Sequence, residues 1–299
     1  MPTSMSIGMF DGLHLGHRAI IDQARDLSGP DGSVVVVTFE PSPAVILNPS
    51  SVPPRLMTAH QRERALLEAG VDEVVILEPT AARLGMSPVA FIEEMVDRIH
   101  PDHIIEGSDF RFGVARSGDM GLLRSEGVRL DFEVHEAKEV EATLPDGSRV
   151  PARSSTIRGM LLDGNVEAAA CLLNQPWQVE GQVIQGAQRG REIGCPTANL
   201  DLGELLCPAD GVYAGIATLE SGDEYMAAIS IGTNPTFEDG GRSFEVHLLD
   251  FQGQVGDYGW TLRVGLRHRL RDQIVYESID ELVEAIEGDL RDIRSLLSV

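Results

Sequence analysis

The hydrophobic pattern of this chain changes its period once, after Leu172-Leu173-Asn174-Gln175-Pro176, and that change limits the fold more than any other feature. Before it, apolar runs at residues 5–8, 33–39, 74–77 and 103–106 alternate with stretches whose apolar residues recur three or four apart. Val34-Val35-Val36-Val37 is apolar without alternation, which suits a strand buried on both faces of a parallel sheet. The intervening stretches, at 14–27, 59–69 and 89–100, read as amphipathic helices, with Phe91, Met95 and Ile99 on one stripe. Strand and helix in alternation predict a doubly wound parallel-sheet α/β domain over residues 1–173, with ligands bound beyond the carboxyl ends of the strands. After the change, runs at 179–184, 211–219, 225–231, 244–251 and 260–266 are punctuated by glycine. Phe244-Glu245-Val246-His247-Leu248 alternates as a half-buried antiparallel strand does. Short strands of this kind predict a small antiparallel β-barrel over residues 174–299. A closing helix carries Ile279, Leu282, Val283, Ile286 and Leu290 on one stripe.

Charge narrows the chemistry. The 299 residues hold 24 Lys and Arg against 47 Asp and Glu, a net of −23. So negative a surface repels nucleic acid and anionic membrane, so neither is an expected partner; solubility is its plainer consequence. Lys138 is the sole lysine and has no glycine-rich neighbour, which excludes a Walker-type phosphate loop. Phosphate chemistry here must rely on arginine, histidine, backbone amides and metal. Cys171, Cys195 and Cys207 form no CxxC pair, so neither a disulfide framework nor a zinc ribbon is indicated. Residues 1–6 lack the basic start and apolar stretch of a secretory leader, and no apolar run approaches the ~18 residues of a membrane span. A cytoplasmic chain is expected, with self-association into a homo-oligomer left open.

Gly8-Met9-Phe10-Asp11-Gly12-Leu13-His14-Leu15-Gly16-His17 follows the first strand and opens the first helix. Histidines at i and i+3 face the same way, and a helix N-terminus favours an anion through its free amides and dipole. Gly16 leaves room for a phosphate, and imidazoles so placed can donate to phosphate oxygens as charge develops. The competing reading makes His17 a core residue, since it shares a stripe with Ile20, Ile21 and Ala24.

This stretch resembles the GxFDGxHxGH signature of nucleotidylyltransferases, specifically the N-terminal module of prokaryotic bifunctional riboflavin kinase/FAD synthetases. Further segments match in order. Thr38-Phe39-Glu40-Pro41 resembles the family's TFxPHP, Pro53-Pro54-Arg55-Leu56 its PPRLT, Gly107-Ser108-Asp109-Phe110-Arg111-Phe112-Gly113 its GxDFRFG, and Ser154-Ser155-Thr156-Ile157-Arg158 its SSTxIR. The resemblance implies that His14 and His17 bind and activate the phosphates of ATP, with Gly8, Phe10, Asp11, Gly16, Ser154, Ser155 and Arg158 around the nucleotide. It implies a flavin face near Asp109 and Arg55. Two positions depart: Ser42 stands where the family has histidine, and Arg153 replaces the first of its paired hydroxyls.

Gly194-Cys195-Pro196-Thr197-Ala198-Asn199-Leu200 places a hydroxyl and a carboxamide two residues apart, able to put an oxygen on Mg²⁺ and a donor on a phosphate. By itself it also reads as a plain structural turn. The segment, with Gly186 to Arg191 upstream, resembles the GxPTAN motif of riboflavin kinases. Gly211-Val212-Tyr213-Ala214-Gly215, Gly232-Thr233-Asn234-Pro235-Thr236-Phe237 and Glu245-Val246-His247-Leu248-Leu249-Asp250-Phe251 follow as the family's GVYAG, GxNPTF and EVHLLDF. A carboxylate on a barrel strand can take the proton of an attacking hydroxyl, though a lone strand glutamate is more simply a solvated one. Within the resemblance Glu245 is the general base, Thr197 holds Mg²⁺, Asn199 contacts ATP and Arg271 contacts flavin. Gln273 departs from the family's LRxExxF, which has glutamate there. The implied activity is phosphorylation of riboflavin to FMN with ATP, then adenylylation of FMN to FAD and pyrophosphate. Two alternatives stay open: a kinase whose first module binds without turnover, and a flavin-binding protein without activity.

Overall fold

A computed structural model of the chain describes residues 1–185, 195–233, 242–252 and 259–298. Gly186 to Arg191, Gly194 and Asn234 to Phe237, singled out above, lie outside the described residues. The chain forms two compact units: residues 1–53, 58–142 and 149–153 make the first, and residues 54–57, 143–148 and 154–299 the second.

The first unit is built on five parallel strands in the order β3-β2-β1-β4-β5: β1 (Thr3–Ile7), β2 (Ser33–Phe39), β3 (Glu73–Leu77), β4 (His103–Gly107) and β5 (Glu133–Ala137). Helices α1 (Leu15–Ser28), α3 (Ala59–Glu68), α5 (Pro88–Ile99) and α6 (Met120–Leu130) connect them, with short α2 (Ala44–Leu47) and α4 (Ala81–Leu84) in the loops. Parallel neighbours require such crossovers, which cover both faces of the sheet. Val34 and Val36 are buried, as are Val35 and Val37, which pack with Met5, Ile7, Phe91, Ile92 and Met95; this is why the run does not alternate. Strand order reverses between β1 and β4, so the loops leaving those two strands flank a crevice where α/β sheets bind ligands.

The second unit is a closed barrel, β10-β11-β12-β9-β8-β13, from β8 (Trp177–Ile184), β9 (Ala198–Asp201), β10 (Gly211–Leu219), β11 (Glu224–Thr233), β12 (Arg242–Leu248) and β13 (Thr261–Arg271). Closure leaves no unpaired edge. Phe244, Val246 and Leu248 are buried while Glu245 and His247 are half-buried, so the alternation read from β12 sorts its two faces. The terminal helix, α9 (Ile279–Leu297), packs on β10 and β11 through Leu290, Ile293 and Leu297. Its expected stripe runs through half-buried Leu282, Val283, Ile286 and Leu290 and continues to buried Ile293, while Ile279 at its start is exposed.

Helices α7 (Ser154–Leu162) and α8 (Val166–Leu173) group with the barrel, α8 packing on β8 and β13. Two three-residue strands, β6 (Glu141–Thr143) and β7 (Arg149–Pro151), pair ahead of α7. β5 and β9 carry few apolar residues and escaped the reading of apolar runs; their places are set by pairing to β4 and to β8 and β12.

Candidate active sites

In the first unit β1 ends at Ile7, and the Gly8 amide donates to the Val37 carbonyl at 2.9 Å. The loop then turns through left-handed backbone at Phe10 (φ 49°), Gly12 (φ 89°) and Leu13 (φ 39°). Only Gly12 takes that conformation without strain; burial of the Phe10 and Leu13 side chains offsets the cost at the other two. His14 is the N-cap of α1, and its Nδ1 accepts the His17 amide at 3.4 Å, which puts its ring proton on Nε2. The two imidazoles stack with centroids 3.7 Å apart, and Phe10 lies 4.9 Å from the His17 ring. His17 Nδ1 is buried and has no hydrogen-bond partner among the described residues. Burial, and then the neighbouring His14, push the His17 pKa well below the ordinary imidazole value, so it is neutral at pH 7. A Cβ on Gly16 would stand 3.1 Å from the Ala152 carbonyl and 3.1 Å from the His14 ring. The glycine therefore admits the ring itself, a contact its spacing alone did not reveal.

Two further residues, both missed in the sequence, hold this loop. Arg62 of α3 is buried and donates to the Met9 carbonyl (3.3 Å), the Phe39 carbonyl (3.0 Å) and Glu40 (3.0 Å), tying together the exits of β1 and β2. Its only sequence signal was a charge on the buried stripe of α3 beside Leu66. Glu106 of β4 is buried and accepts from the Ile7 amide and the Ser6 hydroxyl. Burial raises its pKa well above the usual carboxylate range, against those hydrogen bonds, which favour its anion. Asp11 is buried, whereas Asp109, just past β4, is exposed. Of the departures, Ser42 accepts the Ala44 amide at the start of α2 (3.4 Å), and Arg153 pairs with Glu139 at 2.6 Å.

In the second unit the Thr197 hydroxyl donates to Glu245 at 3.2 Å, across 48 residues of sequence. Glu245 stands directly opposite Asn199 on β9 and opposite Ser230 on β11, on the outer face of the barrel wall. Cross-strand neighbours on one face project together, so hydroxyl, carboxamide and carboxylate converge. His247 Nδ1 meets the Pro196 carbonyl at 2.9 Å, fixing the turn that presents Thr197. Gln273 donates to the Ser230 hydroxyl (2.8 Å) and the Ile231 carbonyl (3.2 Å), so the departure from glutamate supplies a neutral donor beside the strand that faces Glu245.

Other expected site residues are spread through this unit. Ser154, Ser155 and Arg158 occupy the first turns of α7, with Arg158 donating to the Pro54 carbonyl at 2.7 Å. Arg55 pairs with Glu204 at 3.3 Å, and its backbone bridges to Leu205. Arg271 makes a two-point pair with Asp289 of α9 at 2.9 and 2.7 Å, with its guanidinium 5.9 Å from the Tyr276 ring.

These two constellations, one at a helix N-terminus after the first strand of a parallel sheet and one on a six-stranded barrel, define a nucleotidyl-transferring module followed by a kinase-like one. Comparison with known proteins gives the same division. The profile of the FAD synthetase family matches residues 1–149 and that of the riboflavin kinase family residues 173–297. A bifunctional riboflavin kinase/FMN adenylyltransferase of Pseudomonas fluorescens is 35% identical, covering 97% of this chain and 92% of its own. Those of Listeria monocytogenes and Escherichia coli are 31% and 34% identical, covering 98% and 95% of this chain and 92% and 90% of theirs. A crystal structure described as a macrolide-efflux protein from Streptococcus pneumoniae matches with a TM-score of 0.87 at 32% identity, covering 98% of this chain and 94% of that one. Among the described residues no helix is long and apolar enough to cross a membrane. The chain belongs to the bifunctional riboflavin kinase/FMN adenylyltransferase family, with ATP as co-substrate of both steps.

Proposed function

We propose that the two family activities run at two separate sites, phosphorylation of riboflavin at Glu245 and adenylylation of FMN at the His14/His17 pair, with the functional modules divided at 1–173 and 174–299. The convergence of Thr197, Asn199 and Glu245 carries this reading for the kinase step. The primary hydroxyl of riboflavin's ribityl chain is a poor nucleophile at neutral pH. Glu245 takes its proton as the oxygen attacks the γ-phosphorus of ATP, the bond from that phosphorus to the β,γ-bridging oxygen breaks and ADP leaves, while Asn199 donates to a phosphate oxygen. The Thr197 hydroxyl and the adjoining carboxylate are hard oxygen donors, few in number, which fits Mg²⁺ shared with substrate phosphates; Thr197 would hold the ion. When bound, the ion neutralises charge on the transferring phosphates.

At the other site the free amides of α1 and the paired imidazoles receive the phosphates of a second ATP as the FMN phosphate attacks its α-phosphorus and pyrophosphate leaves. Neutral His17 binds the anion by donation beside His14 and gains proton affinity as the charge arrives. Gly8, Phe10, Asp11 and Gly16 shape the loop; Ser154, Ser155 and Arg158 are assigned to ATP, and Asp109, Arg55 and Arg271 to flavin, on the family resemblance. Arg55 and Arg271 would share that role with their carboxylate partners Glu204 and Asp289. The setting is cytoplasmic and the partners small molecules, since the charge of −23 opposes nucleic acid and anionic membrane; a homo-oligomer is left open.

The test is one folded variant in two assays. With riboflavin, ATP and Mg²⁺, Glu245→Gln is expected to lose about 10²–10³ in FMN formation, the lower half of the about 10²–10⁴ a general base contributes, because phosphoryl transfer is partly dissociative. With FMN supplied, it is expected to make FAD at the parent rate. Undiminished FMN formation would remove Glu245 from the mechanism.

A further inference from the structure

Away from both sites, the first unit gathers three side chains that neither activity uses. His103 is the first residue of β4; Glu133 and His135 are the first and third of β5. Parallel pairing sets His103 beside Glu133 and Ile105 beside His135, so residues two apart on β5 project to the side on which His103 stands. This is the amino-terminal edge of the sheet, opposite the edge from which the Gly8–His17 loop leaves. Three atoms meet there: His103 Nδ1 and His135 Nε2 are 3.2 Å apart, Glu133 Oε2 is 3.5 Å from the latter and 3.7 Å from the former.

Those three lengths outline a particular figure. Ligands at about 2.0–2.1 Å from a tetrahedral zinc lie roughly 3.3–3.4 Å from one another. The observed edges of 3.2, 3.5 and 3.7 Å bracket that value, so the donors already mark one face of such a tetrahedron. Two imidazole nitrogens 3.2 Å apart cannot both point a proton at the other, and a metal ion would occupy the space that a shared proton would otherwise fill. The triad opens into a surface depression of about 690 Å³ that Asp102 and Asp131 also line; Arg124, which lines it too, is paired with Glu136 at 2.7 Å. Two imidazoles with one carboxylate select a borderline transition-metal ion over Mg²⁺, and the fourth position is left to water.

We propose that His103, Glu133 and His135 form a site for one Zn²⁺-like dication, separate from the flavin and ATP sites, across the edge strand β5 and its neighbour β4. The probe is Co²⁺, added to the metal-free full chain with Mg²⁺ in excess to occupy oxygen-rich sites. One saturable equivalent with the intense visible absorption of tetrahedral cobalt is expected, displaced by Zn²⁺. His103→Ala and His135→Ala are expected to abolish the band, and Glu133→Gln, an exposed and conservative change, to weaken binding. His14→Ala and Cys195→Ala, each removing one nitrogen or sulfur donor elsewhere in the chain, are expected to leave it intact. Absence of the band, or its survival in both His103→Ala and His135→Ala, would overturn the proposal and leave the triad a hydrogen-bonded pair of imidazoles beside a carboxylate.

Discussion

The two candidate sites differ in how the chain assembles them. The first is local: Gly8, Phe10, Gly12, His14, Gly16 and His17 fall within ten residues, and a strand end, a left-handed turn and a helix N-terminus suffice to bring the imidazoles together. The second is made by register: Thr197 and Asn199 reach Glu245 only because β9 pairs with β12, and Ser230 faces it only because β11 does. Their electrostatics differ as well. On the proposed reading the first presents imidazole donors and a helix dipole to an anion, whereas the second presents a carboxylate to a hydroxyl. A local site can survive wherever its strand and helix survive; a register site needs the whole barrel closed. One slip of β12 would turn Glu245 into the packed interior.

The largest effects expected from this contrast are in rate. His14→Ala or His17→Ala removes a donor aimed at developing phosphate charge, so FAD formation from FMN should fall by about 10²–10³ while FMN formation from riboflavin stays within twofold (roughly) of the parent. Equal loss of both steps in a folded variant would break the two-site comparison. Next comes a stability difference. Leu172 and Leu173 of α8 are fully buried and α8 packs on the barrel, a burial worth roughly 3–6 kcal/mol for two leucines. A fragment of residues 154–299 should therefore melt higher than one of residues 174–299, by roughly 10 °C or more, as read by thermal denaturation. Equal melting would show that the barrel's register does not need the two helices.

The smallest effect is a pH slope. An unfolded glutamate ionises near about 4.3, while folded Glu106 holds its proton to higher pH, so the first unit loses stability as pH rises through that interval. Glu106→Gln should flatten the fall in urea-unfolding stability as pH rises above the ordinary glutamate range of about 4.3. His17 acts with the opposite sign. Its lowered pKa gives stability that is present above about 6.5 and lost on acidification below it, and His17→Ala should remove that acid-side loss. An unchanged slope in either variant would mean that the group is not held as its burial implies.

What was legible in the sequence follows the same contrast. The change of hydrophobic period at residues 172–177 announced both architectures, and the glycine-flanked histidines announced the first site, because both signals are local. The alternation of β12 placed Glu245 on the outer face, yet only the family resemblance joined it to Thr197 and Asn199. Arg62, Glu106 and the Arg271–Asp289 pair were not legible, since each is defined by a partner distant in sequence that no spacing rule supplies. The His103–Glu133–His135 triad was hidden for a further reason. β5 reads Glu-Val-His-Glu-Ala, too polar to be seen as a strand, so the pairing that builds the triad was invisible. The grouping of α7 and α8 with the barrel likewise rests on packing and leaves no mark in the helical pattern.

Two variants mixed in one tube test the separation of sites most directly. Glu245→Gln keeps the histidine pair and His17→Ala keeps the barrel carboxylate, so neither alone should convert riboflavin to FAD at more than about one hundredth of the parent rate. Combined in equal amounts with riboflavin, ATP and Mg²⁺, one protein supplies FMN through solution and the other consumes it. FAD should then accumulate, after a lag in which FMN rises, at a rate within severalfold of the parent. A mixture no more active than its parts, with both proteins folded, would contradict two independent sites and would mean that the two steps share one.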